Sequence, residues 1–186
     1  MAFTLDFSGS VAAVTGVSSG IGQGIARMFA RAGATVAGCG RSPGDSDGAR
    51  EFTRIVEAEG ARAVYVQCDI AAESGPEMFV DAVLEETGRI DTVVSNAGRN
   101  VFTGAADTTL EDWNECINLD LRAHWLLARA ARGALQAAAA DPAGADRGKP
   151  AVLLNSSNHA WYTIPGCFPY NVAKAGMNAL VQSLAL

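Results

Sequence analysis

Long apolar runs are missing from this 186-residue chain, and none could span a bilayer. Cysteine is scarce. Cys39, Cys68, Cys116 and Cys167 stand far apart and form no C-x-x-C pair, which argues against a zinc knuckle or a disulfide framework. A reducing, cytoplasmic setting is the default expectation. Only two histidines occur, His124 and His159, and neither sits in a metal-ligand pattern. No basic run stands out, and 14 Lys+Arg against 20 Asp+Glu give a net charge of -6, which speaks against a nucleic-acid partner. The start carries Asp6 and no basic segment, unlike a signal peptide. With 49% hydrophobic and 18% charged residues, the expectation is one globular domain over 1–186. Any anionic cofactor would have to be held locally, by backbone N–H groups and a placed cation.

Strand and helix patterns alternate. Val11–Thr15 is a short buried-strand run entering a glycine loop. Ile21, Ile25, Met28, Phe29 and Ala32 follow at helical spacing up to Gly33. Thr35–Cys39 reads as the second strand, Ser42–Gly48 as a polar loop, and Phe52, Ile55 and Val56 as a helix face closed by Gly60. Ala63–Cys68 is the third strand. Met78, Phe79, Ala82 and Val83 mark a helix ending at Gly88, and Ile90–Ser95 is the fourth strand. A long helix carries Trp113, Ile117, Leu121, Trp125, Ala128 and Leu135, then frays into a solvated connection, Ala137–Lys149. Ala151–Asn155 is the fifth strand, and a last helix starts near Pro169. This alternation predicts an α/β, Rossmann-like, doubly wound parallel sheet with helices on both faces and right-handed crossovers.

Ligands bind such sheets outside the carboxyl ends of the strands. The informative residues gather there. Gly16–Gly22 follows strand one, Arg41 strand two, Asp69 strand three, Asn96-Ala97-Gly98 strand four and Ser157 strand five. Gly16, Gly20 and Gly22 between a strand and a helix suit close approach to a pyrophosphate, although a tight strand–helix turn would use the same glycines. Arg41, about twenty residues past the last glycine, favours a ribose 2′-phosphate and hence NADP(H) over NAD(H). Asp45 and Asp47 compete as ribose acceptors, and an exposed loop arginine is the plain alternative. Asp69 either accepts from an adenine amino group or caps the next segment. Asn96 to Gly98 brings small residues and an amide beside a cofactor, or forms an ordinary turn. Asn118 interrupts the apolar face of the long helix, which suits either a water-linked proton path or a simple buried hydrogen bond.

Tyr170 and Lys174, four apart, share a helix face. Acid–base work by a phenol near neutrality needs its pKa of about 10 lowered by roughly 3 units, about 4 kcal/mol. An ammonium about 5 Å away supplies roughly 3 kcal/mol at an effective dielectric of about 20, and an oxidised nicotinamide could add the rest.

In combination, Thr15-Gly-Val-Ser-Ser-Gly-Ile-Gly22, Asp69, Asn96-Ala-Gly98, Asn118, Ser157 and Tyr170-x-x-x-Lys174 resemble the short-chain dehydrogenase/reductase family, single-domain type, from Ser10 onward. The resemblance implies hydride transfer between NADP(H), with NAD(H) as the alternative, and a carbonyl or secondary alcohol. It makes Tyr170 the general acid/base, Ser157 the group that polarises the carbonyl, and Lys174 the residue that lowers the tyrosine pKa and holds the nicotinamide ribose. Asn118 would complete a proton relay. The implied cofactor-binding set is Gly16, Ser18, Ser19, Gly20, Ile21, Gly22, Arg41, Asp69, Ile70, Asn96, Ala97, Gly98, Tyr170 and Lys174, with no metal. Ser156 competes for the serine role, but Ser157 has the family's spacing, thirteen before the tyrosine. Asn158-His159-Ala160 departs from the glycine that many members have at its third place.

Family members continue past the last helix with further strands and often a substrate lid, so the chain is expected to lack its C-terminal part. Val172, Met177, Leu180, Val181 and Leu184 spread apolar groups around that helix, which calls for burial on more than one side. Trp161, Tyr162, Ile164, Phe168 and Phe102 suggest apolar walls for a small-molecule site. A homodimer or homotetramer is expected through the two long helices. The rival reading is a non-catalytic dinucleotide-binding or assembly module, and a third is epimerisation with a retained cofactor.

Overall fold

A computed structural model of the chain describes residues 5–142 and 149–185. β1 (Val11–Thr15) is buried at every position, as its unbroken apolar run requires of a strand covered on both faces. There follow α1 (Gly20–Arg31), β2 (Thr35–Gly40), α2 (Asp47–Glu57), β3 (Ala63–Gln67), α3 (Gly75–Thr87), β4 (Thr92–Ser95), α4 (Leu110–Ile117), α5 (Ala123–Ala140), β5 (Ala151–Leu154) and α6 (Tyr170–Leu184). The five strands form one parallel sheet in the order β3-β2-β1-β4-β5. The chain winds outward from β1 in one direction and then in the other, which opens a crevice at the carboxyl ends of β1 and β4.

Both faces are covered. Ala26, Ala30, Phe52 and Val56 of α1 and α2 pack on Val14 and Val36. Phe79, Val83, Leu127 and Ala131 of α3 and α5 pack on Ala13, Ala37 and Val93. The buried stripes are not those the large apolar residues suggested. In α1, Ile21 and Met28 are exposed while Gly22, Ala26 and Ala30 are buried. Small residues let the helix axis approach the sheet, and the larger ones are left at the flanks.

The long helix is broken midway. α4 passes through a π-helical turn, Asn118–Arg122, into α5. A capping box between Thr109 and Asp112 fixes its start. Its buried stripe is Cys116, Asp120, Ala123, Leu127 and Ala131, not the expected Trp113-Ile117-Leu121-Trp125 row. α5 runs to Ala140, beyond the expected fraying point, and residues 143–148 of the predicted connection lie outside the described residues.

Pro169 caps α6 rather than entering its first turn. α6 packs against α4 and the π turn, where Ala173 joins Val101 and Cys116 with Ile117, Leu121 and Tyr170 beside them. Val172, Val181 and Leu184 remain exposed on its outer side, and Leu153 is half exposed on edge strand β5. No helix among the described residues is long and apolar enough to cross a membrane.

Candidate active site

The carboxyl ends of β1, β4 and β5 are stitched together by side chains. Thr15 Oγ1 accepts from the amides of Asn96 (2.9 Å) and Ala97 (3.0 Å). Asn96 Nδ2 donates to Thr15 O at 3.0 Å, and Asn155 Nδ2 donates to Asn96 Oδ1 at 2.9 Å. Lys174 Nζ then donates to Asn155 O at 3.3 Å, which ties α6 to the same rim. Asn96 thus spends its amide within the protein, and any contact to a ligand falls to the neighbouring backbone.

Above this rim runs a cleft of about 740 Å³. One end is lined by Arg41, Asp69 and Ile70, the middle by the Gly16–Gly22 turn with Ala97 and Gly98, and the other end by Ser157, Tyr170 and Lys174. All the sequence-predicted site residues line it except Asn118.

The glycine turn is a close-packed cradle. A Cβ on Gly22 would stand 2.0 Å from Gly16 O and 2.8 Å from Asn96 Nδ2, so only glycine fits. Ser19 caps α1 without a side-chain hydrogen bond, leaving the helix N-terminal amides directed at the cleft. Backbone donors and the helix dipole suit a pyrophosphate there. The glycine cradle in the middle of the cleft and the cation at one end of it together fit a dinucleotide.

At that end Arg41 is exposed. Asp47 is engaged by Arg50 at 2.7 Å, and neither Asp45 nor Asp47 lines the cleft. Asp69 Oδ1 accepts from Ala71 N at 3.0 Å, so the capping reading of Asp69 accounts for one of its oxygens.

At the Tyr170 end, the two serines divide. Ser156 Oγ donates to Lys174 O at 3.1 Å and is committed to α6. Ser157 Oγ accepts from His159 N at 3.1 Å, opening the short turn Asn158–Ala160. Phe102 lies tilted and His159 edge-on beside the Tyr170 ring, with centroids 5.4 and 6.3 Å away. They form an aromatic wall beside the phenol. Trp161, Tyr162 and Ile164 are instead exposed. Phe168 lies against Trp113, and His159 had not been expected near the phenol.

The charge arrangement bears on two expectations. Asn118 is absent from the cleft lining, which the π turn meets through Leu119 and Asp120. Asp120 is fully buried and pairs with the buried Lys174, Nζ to Oδ1 3.2 Å. The lysine was also expected to lower the Tyr170 pKa. Instead the phenol is pushed up, first by burial, with Ser157 pulling it down and the Asp120, Cys167 and Cys116 charges pushing it further up. Lys174 Nζ sits 5.5 Å from the Tyr170 ring centroid, but its charge is largely answered by Asp120. Burial raises the Asp120 carboxyl, against the opposing pull of Lys174. A carboxylate in the stripe Cys116-x-x-x-Asp120-x-x-Ala123 was the overlooked sequence signal, since such a position is otherwise apolar.

Thiol chemistry is not offered by this site. All four cysteines are free and buried. Burial pushes Cys68 up to about 11 and Cys116 up to about 12. The described residues hold no cluster of metal-ligating side chains.

Known proteins resemble this chain in sequence and fold. The family model for short chain dehydrogenases matches residues 10–186. A hydroxynaphthalene reductase, arp2, of Aspergillus fumigatus is 38% identical over 97% of this chain and 62% of its own length. Glucose 1-dehydrogenase 2 of Bacillus subtilis is 32% identical over 97% of this chain and 67% of its own. The chain therefore spans about two thirds of the length of these relatives. A metagenomic short-chain oxidoreductase solved in complex with NADP superposes with a TM-score of 0.84 at 32% identity, covering 96% of this chain and 76% of that one. With its sheet order, its glycine cradle and a family match over nearly its whole length, the chain belongs to the short-chain dehydrogenase/reductase family.

Proposed function

We propose that the chain carries the nucleotide site and the proton-transfer residues of an NADP(H)-dependent oxidoreductase, which passes a hydride between the cofactor and a carbonyl or secondary alcohol carbon. The observation that carries this reading is the single cleft joining the glycine turn to Ser157, Tyr170 and Lys174. When bound, the nicotinamide supplies or takes up the hydride.

The protein's own residues do the rest. In reduction the Tyr170 hydroxyl donates its proton to the developing alkoxide, and in oxidation the tyrosinate removes the alcohol proton. Ser157 donates to the same oxygen and stabilises its charge. Phe102 and His159 limit water beside the phenol. The α1 N-terminus and the glycine turn hold the pyrophosphate. Arg41, exposed at its end of the cleft with Asp47 already paired to Arg50, supports a 2′-phosphate and so NADP(H) over NAD(H). The exposed apolar residues of α5 and α6, Trp125 and Val181 among them, support a homodimer or homotetramer. The scarce, buried, unpaired cysteines fit a cytoplasmic setting.

The test is oxidation of NADPH and of NADH with a panel of ketones, alongside binding of each cofactor. Tyr170→Phe should lower kcat by at least about a hundredfold and leave cofactor affinity near the parent's. Parent-like turnover of that variant overturns the catalytic assignment. Arg41→Ala should weaken NADPH about tenfold or more and NADH little, and equal effects overturn the cofactor preference.

A further inference from the structure

We propose that Asp120 is a positioning residue for the tyrosine chemistry: it anchors the Lys174 ammonium beneath Gly98 and screens its charge from the Tyr170 phenol. This rests on the oxidoreductase reading above and adds a residue to it.

The anchor is built from three sides. Asp120 Oδ1 meets Lys174 Nζ at 3.2 Å, and both carboxylate oxygens accept from Arg99 N at 3.3 Å. Lys174 Nζ also reaches Asn155 O at 3.3 Å. Gly98 closes the top, because a Cβ there would stand 2.6 Å from Asp120 Oδ1 and 3.4 Å from Lys174 Nζ. The π turn gives Asp120 this aim, and such turns recur where a helix must present one side chain to a site.

The remaining charges do not undo the pairing. The Arg99 side chain from the β4 loop is held by Glu115 of α4 at 2.5 Å. Cys116 and Cys167 are buried thiols within electrostatic reach of the phenol. His124 of α5 lies one turn beyond Asp120 and is held neutral by burial. Near the phenol, then, the lysine charge and the Asp120 charge oppose each other at close range, while Arg99 and Glu115 answer one another. Remove the Asp120 charge and the lysine acts on the phenol alone.

Asp120→Asn keeps the shape and an oxygen for Nζ. The readout is the tyrosinate absorbance of Tyr170, taken as the difference between each protein and its Tyr170→Phe counterpart, which subtracts Tyr65 and Tyr162. The Asn variant should ionise about one pH unit below the parent. The alkaline limb of ketone reduction should move down with it. Asp120→Ser is the second variant should Asn not fold, and circular dichroism checks both. An unmoved or upward-moved midpoint in a folded variant overturns the proposal. A downward midpoint in a protein that reduces no ketone keeps the anchor and removes the oxidoreductase reading. Ketone reduction with an unmoved midpoint does the reverse.

Discussion

Acid should unfold this protein chiefly through one histidine. His124 is 1% exposed, its Nδ1 lies 2.6 Å from Ser95 Oγ, and its Nε2 has no partner. A second proton would place a charge in the core with an N–H that nothing accepts. Burial first, and the Lys174 charge second, hold its pKa down from 6.5 to about 3. The unfolded chain therefore binds a proton that the folded chain refuses, between the unfolded value and the folded one. The depressed pKa contributes stability that is present above pH 6.5 and is lost as pH falls towards about 3. The loss is roughly 2 kcal/mol by about pH 5 and roughly 3 kcal/mol by about pH 4, a large share of the 5–15 kcal/mol or so typical of a domain. Asp120 runs the other way. Its raised carboxyl takes up a proton in the fold before it does so in the unfolded chain, so part of the loss is offset as pH falls through that range.

The assay is urea unfolding at a series of pH values, with the parent compared with His124→Asn, which keeps a polar atom for Ser95 and cannot titrate. The variant should be less stable at neutral pH, through lost packing, and its stability should fall less steeply between pH 6.5 and about 4. Differences between the two proteins cancel the carboxylates they share. Parallel stability curves would show that the histidine takes up its proton equally in both states, and the burial argument would be wrong.

Two further substitutions test the framework of the site. Gly22→Ala puts a methyl 2.0 Å from Gly16 O, so the turn must open, with a cost of about 2–4 kcal/mol in denaturant midpoint and a clear loss of dinucleotide affinity. A parent-like midpoint would mean that the turn is not close-packed. Asp91 accepts from Val11 N at 2.8 Å and holds Arg89 through both oxygens, at 2.9 and 2.7 Å. Asp91→Ala leaves a buried amide and a half-buried guanidinium short of a partner, and should cost about 2–4 kcal/mol with little sensitivity to salt. Stability within about 0.5 kcal/mol of the parent would show that water replaces the carboxylate without loss.

The sheet was legible because parallel strands buried on both faces are short, continuous apolar runs. Val11–Thr15 admits no other reading, and its neighbours needed only trimming at the ends. The site was legible because the crossover topology brings every strand's carboxyl end to one rim. Gly16, Arg41, Asp69, Asn96 and Ser157 met there although they are scattered through the sequence. The helix faces were misread. Judged by bulk, Ile21 and Met28 mark the inner face of α1, yet the sheet is met by Gly22, Ala26 and Ala30. Alanine carries little weight in any hydrophobic pattern, but it is what lets a helix settle onto a close-packed sheet.

The same error hid Asp120. A reading that takes Trp113, Ile117 and Leu121 as the core row makes Asn118 the polar intruder. Once the row is shifted to Cys116, Ala123 and Leu127, Asp120 stands in its middle, buried with an ammonium as its partner. A buried ion pair rarely gains stability over an apolar pair of the same volume, because desolvating both charges offsets their attraction. Its presence in the core stripe, where an apolar residue would pack at no such cost, therefore points to function rather than folding. The pair lies at the one place where Lys174 approaches both the cleft and the phenol, which is where the charge on that lysine matters to proton transfer.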